Sequence, residues 1–496
     1  MGRDTRADTG DVHMDTSGQR GHLRQPEPPA AGLARMIERT RRAQRWWDRV
    51  GFAARRRFLR RWASTLTRLA PRLAETMRAE TGKPIPVGIT EIAIAVDHLV
   101  WAANNARRVL GERRVPGSLL QPEYAARVSY RPCGVVGIIG PADFPVFSPL
   151  GAMGLALAAG NAVILKPSEY APRLGRVLID SLTRVVSAPV ARLLPGDGAA
   201  GAALCEANVD MIAFTGSPEV ARRVMAACAA SMTPVVLESG GEDAMIVAGD
   251  ADVDAAAEAA CFGAFFNSGQ TCVGIQRVYV AAEVYDAFLA RLARRARGLS
   301  VGYGRYADLG PILRPERVDL VRRHIADAVE RGASVITGGL GAIDPPFVAP
   351  TIVVNVPVDA RVMREETPGP VLAVTRTDTA AEALALANSA AYGLGGSVFG
   401  GRDAEALARG MRSGMTSVNS VLAFATLPAC PFGGAGGTSG FGRVHGDDGL
   451  RAFTQTKAIA SRRFRSPIRA LTFDRDPRAV TAQVLRAIRI RHGNYR

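Results

Sequence analysis

Val135-Val136-Gly137-Ile138-Ile139 sets the fold class. The run is short and apolar at every position, as a parallel strand buried on both faces requires. The next hundred residues repeat the theme. A helix of small residues is predicted over 150–159, then the strand Ala162-Val163-Ile164-Leu165 and a helix near 174–186. A strand near 191–194, a helix near 200–207, a strand over 211–214, a helix from Pro218 and a strand over 234–237 complete the set. Strand–helix–strand units in series favour a doubly wound parallel sheet with right-handed crossovers. Such sheets bind ligands beyond the carboxyl ends of their strands.

Downstream, a second α/β region is expected from about 241 to 421. Its strands fall near 244–247, 277–280, 334–337, 352–354, 371–374, 397–399 and 417–418. Amphipathic helices are predicted over 284–297 and 315–331, the latter opened by Pro315, which suits a first helical position. Upstream, Trp46, Phe52, Phe58, Leu59, Trp62, Leu66 and Leu69 recur at helical spacing, with Pro71 read as a break. Another helix is expected over 91–110. An alternating strand over 122–130 looks like part of a hairpin arm. A glycine-rich loop over 432–442 and a strand near 459–464 close the body. The domains expected are a dinucleotide-binding domain (31–112 and 133–240), a catalytic domain (241–430) and an arm (113–132 and 452–465). A tail at 1–30 is expected to be disordered, and a basic tail covers 466–496.

The 496 residues are enough for more than one core, and the 47% hydrophobic content is that of an ordinary globular protein. No apolar stretch of about 18 residues is free of charge, and the first 30 residues lack the apolar centre of a secretory signal, so a cytoplasmic protein is expected. The net charge of +16 raises the question of nucleic acid. The excess is arginine, the lysines being Lys83, Lys166 and Lys457. Such a bias most simply reflects genomic base composition, and no nucleic-acid-binding motif accompanies it, so no nucleic-acid partner is expected. The segment 477–492 reads as a basic amphipathic helix with Val480, Val484, Leu485 and Ile488 on its apolar face, able to make weak contact with a membrane surface. The cysteines Cys133, Cys205, Cys228, Cys261, Cys272 and Cys430 show neither CxxC pairing nor histidine partners, which argues against a disulfide framework and against a metal site.

One cysteine stands in a chemical context. Cys272 ends Phe266-Asn267-Ser268-Gly269-Gln270-Thr271-Cys272, where Gly269 allows a tight turn and a close approach to ligand. Glu238 follows Val235-Val236-Leu237 and precedes Ser239-Gly240-Gly241, as expected of a carboxylate at a partly buried strand end. These segments join Pro141-Ala142-Asp143-Phe144-Pro145, Lys166-Pro167-Ser168-Glu169, Phe214-Thr215-Gly216-Ser217, Glu365-Glu366-Thr367-Pro368-Gly369-Pro370 and Pro431-Phe432-Gly433-Gly434. Together, and in this order, they resemble the aldehyde dehydrogenase superfamily over about 35–464, with a leaning towards its semialdehyde-oxidising branches.

The resemblance implies oxidation of an aldehyde to an acid through a thiohemiacetal and thioester on Cys272, with Glu238 activating water. Lys166 and Glu169 would hold the adenosine ribose, Gly216 and Ser217 the pyrophosphate, Ser239 the nicotinamide amide through its backbone, and Glu366 the nicotinamide ribose. Glu169 would repel a 2′-phosphate, favouring NAD, with NADP possible. Phe144, Phe266 and Phe424 are expected along the aldehyde channel. The arm would join protomers into a homodimer or homotetramer. Asp143 departs from the family's asparagine, the donor to the developing oxyanion. An ionised aspartate only accepts and would repel an alkoxide; a protonated one could donate. Ala142, Thr367-Pro368 and Ala435-Gly436-Gly437 also depart from the pattern. Two readings stay open: a working dehydrogenase with unusual oxyanion chemistry, or a related binding or scaffold protein with little turnover.

Overall fold

The computed structural model describes residues 30–116, 121, 123–465 and 472–492. The expected tail at 1–29, and 466–471 and 493–496 of the basic tail, lie outside the described residues.

The first sheet holds five parallel strands: Val135–Ile139, Ala162–Lys166, Ala191–Leu193, Met211–Thr215 and Val235–Glu238. From Val135–Ile139 the chain winds outward through Ala162–Lys166 to Ala191–Leu193. It then returns to the other side for Met211–Thr215 and Val235–Glu238. The reversal of winding opens a crevice past Ile139 and Thr215, where ligands of doubly wound sheets sit. One addition comes from far along the chain. Gly440–Phe441, within the segment that the sequence reads as a glycine-rich loop, pairs antiparallel with Leu237 and Glu238.

The second sheet runs in the order Ser334–Thr337, Thr351–Val354, Val371–Thr377, Ile275–Ala281, Asp243–Val247, Gly396–Phe399 and Ser417–Val418. It is parallel except at the edge strand Ser334–Thr337. A third, antiparallel sheet joins Arg113–Val115, Tyr124–Pro132 and Thr454–Arg462. Its strands fall within the segments read as an arm, the last starting five residues earlier than the 459 expected.

Helices Ala30–Arg49, Gly51–Thr81 and Ile85–Leu110 pack on the first sheet's side. Trp47 and Trp62 are fully buried, and their indole N–H groups donate to the Leu157 carbonyl and the Ser181 hydroxyl, both at 2.8 Å. The expected break at Pro71 is absent: Gly51–Thr81 runs through it. Pro71 sits on the exposed face, where water can serve the carbonyl that lost its partner. Burial of Leu66, Leu73, Ala74 and Met77 outweighs a penalty of about 3 kcal/mol. The next helix starts at Ile85, ahead of the 91 expected, because Pro86 is tolerated in a first turn. Its 26 residues are long and apolar enough to cross a bilayer, yet it packs in the core against Gly51–Thr81 and Phe147–Ala159. The expected basic helix is present as Pro477–His492, with Leu485, Ile488 and Ile490 exposed.

Candidate active site

The cysteine is positioned by a strained turn. Helix Val253–Phe265 buries Ala257, Ala260 and Cys261, and is followed by the turn Phe266–Gly269. Asn267, Ser268 and Gly269 all adopt left-handed backbone, with φ of 53°, 58° and 70°. For the two residues carrying side chains this costs about 1–2 kcal/mol each, sustained only where the surroundings over-determine it. They do so here. Asn267 Nδ2 donates to the Gln270 carbonyl at 2.8 Å, Ser268 Oγ to the Gly310 carbonyl at 2.9 Å, and Gln270 Nε2 to the Pro311 carbonyl at 3.2 Å. A side chain at Gly269 would collide with the Gly369 carbonyl, so the glycine there is required.

Glu238 ends its strand with 6% of its surface exposed. The Cys272 Sγ–H points to Glu238 Oε1 at 3.9 Å, and Thr215 Oγ1 donates to Oε2 at 3.5 Å. Burial pushes the Glu238 carboxyl up to about 7, against the opposing pull of those two hydrogen bonds. Burial also pushes the Cys272 thiol well above its ordinary value, helped by the nearby charges of Glu238, Glu366, Asp243 and Asp143. The free site therefore holds a protonated thiol beside a carboxyl poised near neutrality. The two groups that the sequence set 34 residues apart do meet.

A cleft of about 730 Å³ runs from this pair along the carboxyl ends of the first sheet. Lys166, Glu169, Gly216, Ser217, Ser239, Glu366 and Asp143 all line it. Lys166 Nζ pairs with Glu169 Oε2 at 3.2 Å. Ser217 caps the helix Pro218–Ala229, its Oγ accepting from the Val220 N–H. Gly216 departs from its expected role, because its N–H already donates to the Glu238 carbonyl at 3.1 Å and is not free for a phosphate. It is glycine because the Phe214 ring leaves no room for a β-carbon. Ser239 carries a tether: its Oγ donates to the Thr438 carbonyl at 2.6 Å.

The cleft suits a dinucleotide. Its far end is lined by Gly198, Gly201, Ala202, Val220 and Val224, and a β-carbon at Gly198 would meet nothing within 4 Å. Such an apolar, open wall fits a flat base. Arg223, Arg314 and Arg323 add cations suited to a diphosphate. Glu366 lies flush against Gly240, where a β-carbon would strike its carboxylate, and burial raises its pKa to about 7.

Of the two forms left open for Asp143, the geometry is that of the ion-paired acceptor. Its Oδ1 accepts from Arg317 Nη1 at 2.6 Å, the arrangement of an ionised carboxylate. Its carbonyl is held from behind by Lys83 Nζ at 2.7 Å and Asn267 Nδ2 at 3.2 Å. Lys83 in turn pairs with buried Glu91, whose other oxygen accepts from the N–H groups of Val146 and Phe147. Sequence reasoning does not single out Arg317, Lys83 or Glu91. A signal for Lys83 exists, since this chain rarely uses lysine. Phe144 and Phe266 stack at 6.4 Å, and Phe262, half-exposed, continues the ladder at 4.8 Å from Phe266. Phe424 packs with Phe432.

A doubly wound sheet, a cleft of about 730 Å³ at its switch point and a thiol–carboxyl pair lining that cleft fit a dinucleotide-dependent oxidoreductase. The chain belongs to the aldehyde dehydrogenase family, whose model matches residues 19–459. It is 36% identical over 454 residues to a 4,4′-diapolycopene aldehyde oxidase of Methylomonas sp., covering 90% of this chain and 84% of that one. It is 34% identical over 430 residues to the succinate-semialdehyde dehydrogenase [NADP(+)] GabD of Escherichia coli, covering 85% and 88%. The structure of lactaldehyde dehydrogenase from Escherichia coli is similar with a TM-score of 0.84 at 29% identity, covering 88% and 92%. The protein is an enzyme that oxidises an aldehyde to a carboxylic acid with NAD(P). The scaffold reading is not favoured.

Proposed function

We propose that Cys272 is the nucleophile and Glu238 the base of this oxidation, and that NAD is the preferred cofactor. The observation carrying the reading is the contact between the Cys272 thiol and the buried Glu238 carboxyl at the end of the cleft. The carboxylate form of Glu238 takes the thiol proton, and the thiolate sulfur bonds to the aldehyde carbon while the carbonyl oxygen becomes an alkoxide. Bound nicotinamide supplies the chemistry of hydride acceptance. Glu238 first gives the thiol proton up to solvent; it then takes a proton from the water that attacks the thioester on Cys272, the carbon–sulfur bond breaks, the acid departs and the leaving thiolate takes that proton back. The strained turn fixes the sulfur, and the Asn267 and Lys83 bonds fix the loop facing it.

Glu169 supports NAD: a carboxylate beside Lys166 repels a 2′-phosphate. GabD of Escherichia coli, by its name, uses NADP(+), so the preference is tested directly. The ladder Phe144–Phe266–Phe262 favours an aldehyde carried on an apolar body over a small charged one. The long exposed strand Thr454–Arg462 favours pairing between subunits. The exposed apolar and arginine residues of Pro477–His492 favour residence on anionic lipid, which sedimentation with phosphatidylglycerol but not phosphatidylcholine vesicles would test. For the nucleophile and the cofactor, NADH absorbance with medium-chain alkanals is the measurement. Wild type turns over with NAD at a kcat/KM at least about 10-fold above NADP, equivalent to about 1.4 kcal/mol, and Cys272→Ala shows none. Unchanged turnover in Cys272→Ala would remove the nucleophile assignment.

A further inference from the structure

The aspartate at 143 poses an electrostatic problem that the reaction cannot ignore. Addition of sulfur to the aldehyde creates an alkoxide beside Cys272, and the Asp143 carboxylate lies close enough for its charge to raise the Cys272 thiol. The loop cannot swing away, because Lys83 and Asn267 both hold the Asp143 carbonyl. Arg317 answers the charge. It stands in the first turn of the helix Pro315–Glu330, where a cation opposes the helix dipole and does nothing for local stability. Its guanidinium reaches across from the second α/β unit to Asp143 Oδ1 at 2.6 Å, within the same cleft as Cys272 and Glu366. Glu366 also lies close enough for its charge to act on Arg317. One guanidinium is thus paired with Asp143 and within electrostatic reach of Glu366.

We propose that Arg317 is the positioning residue that makes Asp143 compatible with catalysis. By pairing with it, Arg317 cancels the charge that would otherwise oppose both the Cys272 thiolate and the alkoxide. The pair Asp143–Arg317 replaces the neutral amide donor of the family pattern. This inference rests on the assignment of Cys272 as nucleophile. No proton is transferred in this role; the guanidinium stays charged throughout.

The test is a double-mutant cycle on the full chain. Arg317→Met leaves Asp143 unpaired and lowers kcat by at least about 10²-fold, the scale of a lost oxyanion donor. Adding Asp143→Asn removes the charge that needed cancelling, so the double variant returns to within about 10-fold of wild type. A second reading needs no cofactor or aldehyde: the pH dependence of Cys272 alkylation by iodoacetamide, with the other cysteines counted by mass spectrometry. Its midpoint moves up in Arg317→Met and back down in the double variant. A single variant as fast as wild type, a double variant as slow as the single, or one alkylation midpoint in all three proteins would overturn the proposal. Should the wild type oxidise no aldehyde, the assignment of activity fails, while the alkylation profiles still decide the role of Arg317.

Discussion

At Glu238, one carboxyl must accept a proton at neutral pH, which an ordinary glutamate, ionised and weakly basic, does poorly. Burial at the end of a strand raises it to about 7, and that direction fixes the sign of the pH dependence. The group works as a base only when ionised, so turnover rises with pH through about 7 and levels off above. A pH–kcat profile checks this, and the inflection vanishes in Glu238→Gln. A profile flat from pH 6 to 8 in the wild type would count against the assignment. Cys272 and Glu238 were legible in the sequence through the resemblance of their segments to the aldehyde dehydrogenase superfamily, with Gly269 in the turn and Val235-Val236-Leu237 before the strand end as local support. Arg317 was not, because its partner lies 174 positions away and nothing local to the helix Pro315–Glu330 distinguishes one arginine among many.

Among the strands and helices, the apolar runs predict strands well because burial on both faces leaves few alternatives. Pro71 misleads because its local cost is small against the packing on the opposite face of Gly51–Thr81. Invisible to the sequence is a joint between the helix Ile85–Leu110 and the helix Gly446–Ala452. His98 Nδ1 and His445 Nδ1 lie 2.6 Å apart, among Phe147 and Phe432. With His98 Nε2–H donating to the Ala425 carbonyl at 3.1 Å, two neutral rings satisfy the contact when His445 Nδ1–H donates to His98 Nδ1. Burial lowers His98 to about 4, and burial plus His98 lowers His445 well below its ordinary value. Both folded values lie under the unfolded value of 6.5, so their stabilisation is complete above that pH and is lost as pH falls from 6.5 towards 4. The melting temperature of the wild type therefore falls between pH 7 and 5, and falls less in His98→Leu/His445→Leu. Equal slopes in the two proteins would show that the pair is not the titrating joint.

Across the molecule as a body, the doubly wound topology was legible from the order of strands and helices, and with it the side of the sheet that binds ligand. The return of Gly440–Phe441 to the first sheet was not, since two residues carry no periodicity. That return matters for function: it closes the edge beside Glu238 and ties Ser239 through Thr438. Among the described residues the arm leaves Thr454–Arg462 with an unpaired, exposed edge nine residues long, on which Ile459 is exposed. Subunits pairing along that edge predict a wild-type dimer or tetramer by light scattering and a smaller species for Ala458→Pro, which deletes an edge donor and adds a kink. A wild type that runs as a monomer at micromolar concentration would end this reading.

Catalysis as proposed requires that the sulfur of Cys272 carry an acyl group which only the carboxylate of Glu238 can release. Rapid mixing of Glu238→Gln with NAD and an alkanal isolates that step. The expected outcome is up to one equivalent of NADH per active site, formed more slowly than in wild type because the base for the thiol proton is gone, a trapped acyl adduct on Cys272 by mass spectrometry, and steady turnover about 10²–10⁴-fold below wild type. Steady turnover equal to wild type, or an acyl group found on any other residue, would contradict it.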